Sequence, residues 1–229
     1  MNHSPIIIAL DFPQKEPALT CAKQLSPQHC RLKIGSELFT REGAPLIAQL
    51  RELGFEIFLD LKFHDIPNTV AAAVRVAADL GVWMVNVHAS GGLAMMQAAK
   101  EAATAAKQAP LLTAVTVLTS FDDAALGSVG VDDLMESQVQ RLARLAFTAG
   151  LDGVVCSAAE VPVIKKSTAP QFLTVTPGIR PQQSAHDDQK RVFTPKEALA
   201  QGSDYLVIGR PITRAADPAQ ALNAIMATL

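Results

Sequence analysis

Short apolar segments alternate with longer amphipathic ones along the chain, and this alternation restricts the possible folds more than any other feature of the sequence. Eight apolar segments, most of them rich in β-branched residues, are predicted strands: residues 6–10, 31–35, 56–61, 83–88, 111–118, 153–156, 172–176 and 205–208. Several are nearly continuous apolar runs, which is typical of strands buried on both faces of a parallel sheet. A segment with helical periodicity follows each predicted strand.

Eight consecutive strand–helix units predict a closed (β/α)8 TIM barrel rather than an open doubly wound sheet. The 229 residues supply about 29 per unit, and barrels of this type typically run to about 250 residues. Glycines follow several predicted helices, at Gly54, Gly81, Gly150 and Gly202, where they fit C-cap positions. We therefore expect residues 1–229 to form a single (β/α)8 barrel domain of the α/β class.

The composition and charge of the chain indicate a globular protein without a global basic field, which leaves a small anionic substrate possible. Hydrophobic residues make up 49% of the sequence and charged residues 18%, which excludes a disordered chain. The formal net charge is −2, with one Trp and one Tyr, so the sequence has neither a basic stripe nor an aromatic platform for nucleic acid. Any positive charge that binds an anionic substrate must therefore be local.

Features that bear on location indicate a soluble cytoplasmic protein. The apolar run at residues 5–10 is too short for a signal peptide, and no stretch approaches the roughly 18 to 20 apolar residues of a membrane span. Cys21, Cys30 and Cys156 lack metal-binding spacing. An odd number of cysteines without a CxxC pair is typical of reduced thiols, which we expect to be small buried side chains.

Charged residues gather where the second and third predicted strands end. In a TIM barrel the active site lies at the C-terminal ends of the strands. Asp60 and Lys62 are two residues apart on the third strand and should project to the same face, within reach of Lys33 on the second strand. Asp65 follows directly after that strand. The pattern predicts a charge-balanced array, which fits an active site and a structural salt-bridge network at the barrel rim equally well.

Glycine-containing turns follow the seventh and eighth predicted strands, at the usual phosphate site of this fold. Gly178 and Gly209 allow backbone N–H groups to approach an anion closely. Arg210 can add a bidentate contact, and Arg180 opens the longest unassigned segment, residues 180–193. A loop of that length is more often functional than idle, so we predict phosphate binding here beside a mobile loop.

Three other residues at strand ends have weaker claims to a chemical role. His64 and His88 could be acids or ligands, but hydrogen-bonded support beneath the site is the favoured interpretation. Cys156 has no evident base beside it, so packing is favoured over nucleophilic catalysis. A metal centre needs converging carboxylates or histidines, and Lys33 stands where the second strand could have offered one. No metal or other cofactor is expected.

Residues 60–69, DLKFHDIPNT, closely resemble the signature of the orotidine 5′-phosphate decarboxylase family. Four shorter segments resemble other blocks of that family in the same order: residues 9–11 (ALD), 32–35 (LKIG), 176–180 (TPGIR) and 207–211 (VIGRP). The similarity covers essentially the whole chain. It implies decarboxylation of orotidine 5′-monophosphate to UMP in de novo pyrimidine biosynthesis, without metal or cofactor.

The resemblance also implies catalytic roles. Lys62 would stabilise a carbanion at C6 of the pyrimidine and protonate it, and Asp60 would lie beside the departing carboxylate. Lys33 and Asp65 would hold these two side chains in register, with Lys33 also touching the substrate. In the family the last aspartate of the signature and the threonine after it, here Asp65 and Thr69, come from the second subunit. A homodimer is therefore implied.

Substrate-binding roles follow from the same resemblance. Asp11 would bind the ribose hydroxyls, while Thr119 and Ser120 would read the edge of the pyrimidine. The groups expected around the phosphate, in addition to Gly178, are Arg180, Gln189, Gly209 and Arg210. Gln189 would lie on a loop that closes over the ligand.

Three alternatives compete with this interpretation. A relative in the same superfamily would use an Asp-x-Lys-x-x-Asp motif with magnesium, but it needs an acidic ligand where this chain has Lys33. A catalytically silent phosphate-binding barrel would bind the nucleotide without turning it over. Nucleic-acid binding is the third alternative and has no basic or aromatic surface to support it.

Overall fold

The strands are buried along most of their length, as expected of a sheet covered on both faces. A computed structural model describes residues 4–181 and 193–229. Within them lie eight strands: β1 (Ile6–Ala9), β2 (Arg31–Gly35), β3 (Ile57–Phe63), β4 (Met84–His88), β5 (Leu111–Val115), β6 (Gly153–Val155), β7 (Leu173–Thr176) and β8 (Tyr205–Ile208). Each strand pairs in parallel with the next, and β1 pairs with β8, which closes the barrel. The predicted TIM barrel is confirmed.

Helices separate the strands along the chain. They are α1 (Lys15–Lys23), α2 (Ser36–Glu42), α3 (Ala44–Glu52), α4 (Pro67–Asp79), α5 (Leu93–Thr104), α6 (Asp123–Ser128), α7 (Met135–Thr148), α8 (Val161–Ser167), α9 (Pro195–Ala200), α10 (Arg210–Thr213) and α11 (Pro218–Met226). In the part of the chain that the structure describes, no helix combines the length and apolar character needed to cross a membrane.

Local sequence fixes where the helices begin and end. Pro67 starts α4, where a missing N–H costs nothing, and Gly81 follows it with a φ of 70°, a backbone conformation that favours glycine. Thr194 and Glu197 form a reciprocal capping box at the start of α9. These signals set where α4 begins and ends and where α9 begins.

The apolar side chains form two hydrophobic clusters separated by the barrel wall. The larger cluster fills the space between strands and helices. The smaller one occupies the barrel interior and contains Ile7, Ala9, Phe58, Met84, Val175 and Val207. Because the interior is filled from below, only the upper mouth of the barrel is left for a cavity.

Arg31 closes the lower end of the barrel. Its guanidinium lies 4.3 Å from the ring centroid of Trp83 and 5.3 Å from that of Tyr205. The same group pairs with Glu56 at 2.8 Å and donates a hydrogen bond to the carbonyl of Ser4 at 2.7 Å. This arrangement lets a buried cation serve as part of the floor.

The observed elements differ most clearly from the predicted ones at three places. Helices α2 and α10 lie outside the predicted pattern, because each begins within two residues of a strand end and is only seven or four residues long. Strand β5 ends at Val115, three residues before the end of its apolar run. Val117 is nevertheless buried, so that run continues as a packed loop at the mouth of the barrel.

Candidate active site

A cavity of about 250 Å³ opens at the C-terminal ends of the strands. Residues from seven strands or from the loops after them line it, and β4 contributes none. Lys33, Asp60 and Lys62 stand on one part of its wall, and the turns after β7 and β8 form another. One cavity therefore contains three of the four predicted charged residues together with the predicted phosphate turns.

The charged side chains form a continuous chain of ion pairs. Lys62 Nζ lies 2.7 Å from Asp60 Oδ1, and Lys33 Nζ lies 3.3 Å from Asp60 Oδ2. Lys33 Nζ also lies 3.2 Å from Asp11 Oδ1. Asp60 and Lys33 are buried, whereas Lys62 is partly exposed to the cavity. The ammonium of Lys62 and the carboxylate of Asp11 are therefore the parts of the array most open to a ligand.

The electrostatics of the array keep its buried members ionised. Burial opposes the charged form of Asp60, but the ammonium groups of Lys33 and Lys62 and hydrogen bonds from Lys62 and Asn86 outweigh it and hold the pKa of that carboxyl below its usual range. Burial would also lower the pKa of Lys33, but Asp60 and Asp11 together raise it. The site is a preorganised set of charges rather than a neutral pocket.

Lys62 reaches its position through an irregular backbone. Among the described residues it is the one non-glycine residue with a positive φ, 53°. The pairing of β3 with β4 jumps there from Leu59↔Val85 to Phe63↔Val87, so four steps on β3 match two on β4. Asp60 and Lys62 do converge, but this bulge brings them together rather than the regular alternation of a strand.

Asn86 is a site residue that the sequence interpretation missed. Its side chain donates to Asp60 Oδ1 at 2.7 Å and accepts from the backbone N–H of Lys62 at 2.8 Å. A signal was available, since a single carboxamide inside the apolar strand 84–88 must find polar partners when buried.

The turns after β7 and β8 form another part of the cavity wall. Gly178 has a φ of 78°, a conformation that a side chain would strain, and it leads into the buried Arg180. The backbone N–H of Arg180 donates to the carbonyl of Phe193 at 2.9 Å. After β8, Gly209 and Arg210 line the cavity where α10 begins. Backbone amides and two guanidinium groups can together hold an anion here.

Other predicted site residues are distributed unevenly. Asp11 and Thr119 line the cavity. Ser120 is exposed and does not line it. Asp65 and Thr69 are also exposed, and the Asp65 carboxylate accepts a hydrogen bond from the neighbouring backbone N–H of Ile66. Within its own chain, Asp65 thus stays outside the array that the residue spacing predicts for it. Gln189 lies outside the described residues.

The two histidines and Cys156 stand beside the cavity rather than in its wall. The rings of His64 and His88 are 5.5 Å apart. Burial, followed by His64 and Lys62, lowers the pKa of His88 against an opposing effect of Asp60. Cys156 is fully buried, in agreement with a packing role, and Cys21 and Cys30 are buried as well.

The carboxylates of the cavity already have a cation between them. Lys33 Nζ lies within 3.3 Å of both Asp11 and Asp60, at the place where a divalent ion could have bridged them. In residues 4–181 and 193–229, no three His, Cys, Asp or Glu side chains form a metal-binding group.

Fold and cavity together define the class of protein: a TIM barrel with an enzyme-type site at the C-terminal mouth, fitted for an anionic ligand. Residues 4–225 match the orotidine 5′-phosphate decarboxylase / HUMPS family, and the chain belongs to it.

Curated relatives and solved structures agree with that membership. The chain is 58% identical over 229 residues to the orotidine 5′-phosphate decarboxylase of Nitrosococcus oceani, covering all of this chain and 99% of that one. It is 59% identical over 227 residues to the enzyme of the same name from Pseudomonas paraeruginosa, covering 99% of this chain and 97% of the other. The crystal structure of orotidine 5′-phosphate decarboxylase from Lactobacillus acidophilus superimposes with a TM-score of 0.87 at 40% identity, covering 98% of each chain.

Proposed function

We propose that this protein decarboxylates orotidine 5′-monophosphate to UMP in pyrimidine biosynthesis, without a metal or organic cofactor. Membership of the family and full-length relatives that carry this name support the reaction. The observation that supports it most directly is the placement of Lys62 Nζ, 2.7 Å from Asp60, in a cavity that also contains the turns after β7 and β8. A cytoplasmic location suits such an enzyme.

The ligand would lie across the cavity with its two ends on different elements. The phosphate binds at Gly178, Arg180, Gly209 and Arg210, with Gln189 as a further contact. Asp11 binds the ribose hydroxyls, since its carboxylate is exposed at the mouth and its position is supported by Lys33. Thr119 and Ser120 read the pyrimidine edge. This orientation directs C6 of the base toward the ion pairs.

The reaction breaks the bond between C6 and the carboxylate. Carbon dioxide leaves, the electron pair stays on C6, and a proton from Lys62 Nζ completes the product. The pair lies in the ring plane and has no electron sink, so an adjacent ammonium stabilises charge that exists only as the reaction proceeds. Asp60 holds that ammonium, and Lys33 contacts both Asp60 and the bound substrate.

Repulsion between Asp60 and the substrate carboxylate is a secondary effect. Two like charges about 4 Å apart interact by roughly 4 kcal/mol at an effective dielectric constant of 20. Enzymes lower barriers by about 8 to 23 kcal/mol in total. The larger part must come from the preorganised Lys62 and from phosphate-binding energy used to close the site.

The enzyme would act as a homodimer that completes each site with two residues of the other subunit. Asp65 and Thr69 are exposed and outside the cavity of their own chain, as expected of residues that serve a neighbouring site. Ile66, between them, is 66% exposed, which a subunit interface would cover.

Loss of orotidylate absorbance, followed with chelator present, tests the proposal. The wild type should turn over, and Lys62→Ala should lose about 10²- to 10⁴-fold in kcat, the range for a positioned proton donor. Lys23→Ala, which removes an exposed lysine of α1, is the matched control and should leave kcat unchanged.

Three results would contradict the proposal. Normal turnover by Lys62→Ala would remove that residue from the mechanism. Activity abolished by the chelator would favour the magnesium-dependent relative. Binding without loss of absorbance would favour a silent phosphate-binding barrel.

A further inference from the structure

Asn86 occupies the centre of β4, on the one strand that contributes nothing to the cavity wall. It has no exposed surface. A buried carboxamide is unfavourable unless its donor and acceptor are both satisfied. Asn86 therefore has a defined polar function that does not involve touching the ligand.

The two partners of Asn86 dictate which way its carboxamide faces. Asp60 Oδ1 is a carboxylate oxygen and can only accept, so the Nδ2 group of Asn86 must face it, at 2.7 Å. The backbone N–H of Lys62 can only donate, so Asn86 Oδ1 must face that group, at 2.8 Å. One rigid side chain thus links the backbone of Lys62 to the carboxylate that binds the Lys62 ammonium.

The bulge in β3 explains why such a link is required. Two additional residues of β3 stand between its pairings with Val85 and Val87, so the regular ladder is interrupted at Lys62. Asn86 lies between those two positions of β4, and its side-chain oxygen replaces a ladder acceptor for the Lys62 N–H. The left-handed backbone of Lys62 is held by this hydrogen bond.

We propose that Asn86 is a positioning residue for the decarboxylation, because it fixes Lys62 through its backbone and Asp60 through its carboxylate at once. This inference rests on the proposed function for its catalytic part. Since Asn86 does not line the cavity, its loss should lower kcat and leave KM little changed. In metal sites, mutation of a residue that orients a ligand lowers affinity or activity by about 10- to 100-fold. Asn86 orients Lys62 and Asp60 in the same indirect way, so we expect a fall in kcat on that scale.

Asn86→Asp separates positioning from packing, because the two side chains have nearly the same shape. The ionised variant would place a carboxylate against Asp60, whereas its protonated form has a C=O for Lys62 and an O–H for Asp60, as the carboxamide does. The other charged or titratable groups around Asp60 and Lys62, the two partners of residue 86, are Lys33 on β2, His88 on β4 and His64 after β3. The ratio of variant to wild-type kcat should therefore rise as the pH falls from 8 to 6.

Thr113→Val provides the matched control. Thr113 is the register partner of Asn86 on β5, is also fully buried, and its hydroxyl has no hydrogen-bond partner among the described residues. Its replacement should leave kcat and KM unchanged. Asn86→Ala should show the loss of kcat without recovery at low pH.

Amide hydrogen exchange gives a measurement that does not depend on activity. The Lys62 amide should exchange at least tenfold faster in Asn86→Ala than in the wild type and stay protected in Thr113→Val. Unchanged protection overturns the inference, as does a kcat of Asn86→Ala within threefold of wild type, or a kcat of Asn86→Asp that stays as low as that of Asn86→Ala from pH 8 to 6. Wild-type enzyme that leaves orotidylate intact overturns the proposed function instead, and the exchange measurement still decides the structural role of Asn86.

Discussion

Lys33 and Asp60 form an ion pair of 3.3 Å whose two side chains are only 10% and 12% exposed. Removing two charges from water is costly, and their mutual attraction compensates only when further partners satisfy them. Both residues have such partners: Asp11 for Lys33, and Lys62 with Asn86 for Asp60. The charged array is therefore also part of what determines the stability of the barrel.

The pH dependence of the free energy of unfolding should reveal how much the Lys33–Asp60 pair contributes to stability. The pKa of Asp60 lies below its ordinary value of 3.8, so its contribution is present above that value and is lost as the pH falls through the folded-state pKa. The pKa of Lys33 lies above 10.5, so its contribution is present below that value and is lost as the pH rises through the folded-state pKa. The free energy of unfolding, measured by urea titration, should decline as the pH falls below the ordinary aspartate value of 3.8 and again at strongly alkaline pH.

Asp60→Asn should weaken the acid decline, while Asp79→Asn, a change at an exposed aspartate near the end of α4, should preserve it. An acid decline of equal steepness in both variants would show that Asp60 does not titrate abnormally.

Removing the phosphate from the substrate should reduce turnover as well as affinity. If binding at the turns after β7 and β8 drives closure of the site, orotidine should show a much lower kcat than orotidine 5′-monophosphate. Arg210→Ala should impair the phosphorylated substrate and leave the slow reaction of orotidine nearly unchanged. A truncated substrate that altered only KM would contradict this role of the phosphate.

Arg31→Met should reduce the stability of the lower end of the barrel and leave catalytic activity unchanged. The variant loses contacts with two aromatic rings, a hydrogen bond and the ion pair with Glu56, which together are worth roughly 1 to 3 kcal/mol of unfolding free energy. Fluorescence of Trp83, the one tryptophan of the sequence, reports the change directly. Activity at 25 °C should persist, and Arg144→Met, at an exposed arginine of α7, should leave both stability and emission unaltered.

Gly153→Ala should be among the most damaging single-methyl additions in the barrel. A Cβ there would lie 2.2 Å from the carbonyl oxygen of Leu173, the residue with which Gly153 is paired on β7. Relief requires backbone movement in two strands, with an expected cost of about 3 kcal/mol. Gly127→Ala is the control, because a Cβ there meets nothing within 4 Å and α6 gains an alanine. Comparable melting temperatures for the two variants would refute the steric argument.

The sequence predicts the barrel and much of the site because both depend on simple periodic rules. Apolar β-branched segments locate the strands, and strand ends place Asp11, Lys33, Asp60 and Lys62 around one opening. The bulge at Lys62 could not be predicted, since register depends on the neighbouring strand. Asn86 was detectable only as a polar residue in an apolar segment. The role proposed for Asp65 would depend on a second chain, which one chain's residue pattern does not position.

The left-handed backbone at position 62 has a consequence for any effort to give this barrel another reaction. Asparagine, aspartate and glycine tolerate that conformation, whereas valine, isoleucine and threonine resist it. Whether a replacement at position 62 is tolerated thus depends first on its preference for this backbone conformation and only then on the chemistry of its side chain. A library that varies residue 62 alone will return mostly small or flexible polar solutions, and access to others requires redesign of the path between Leu59 and Phe63.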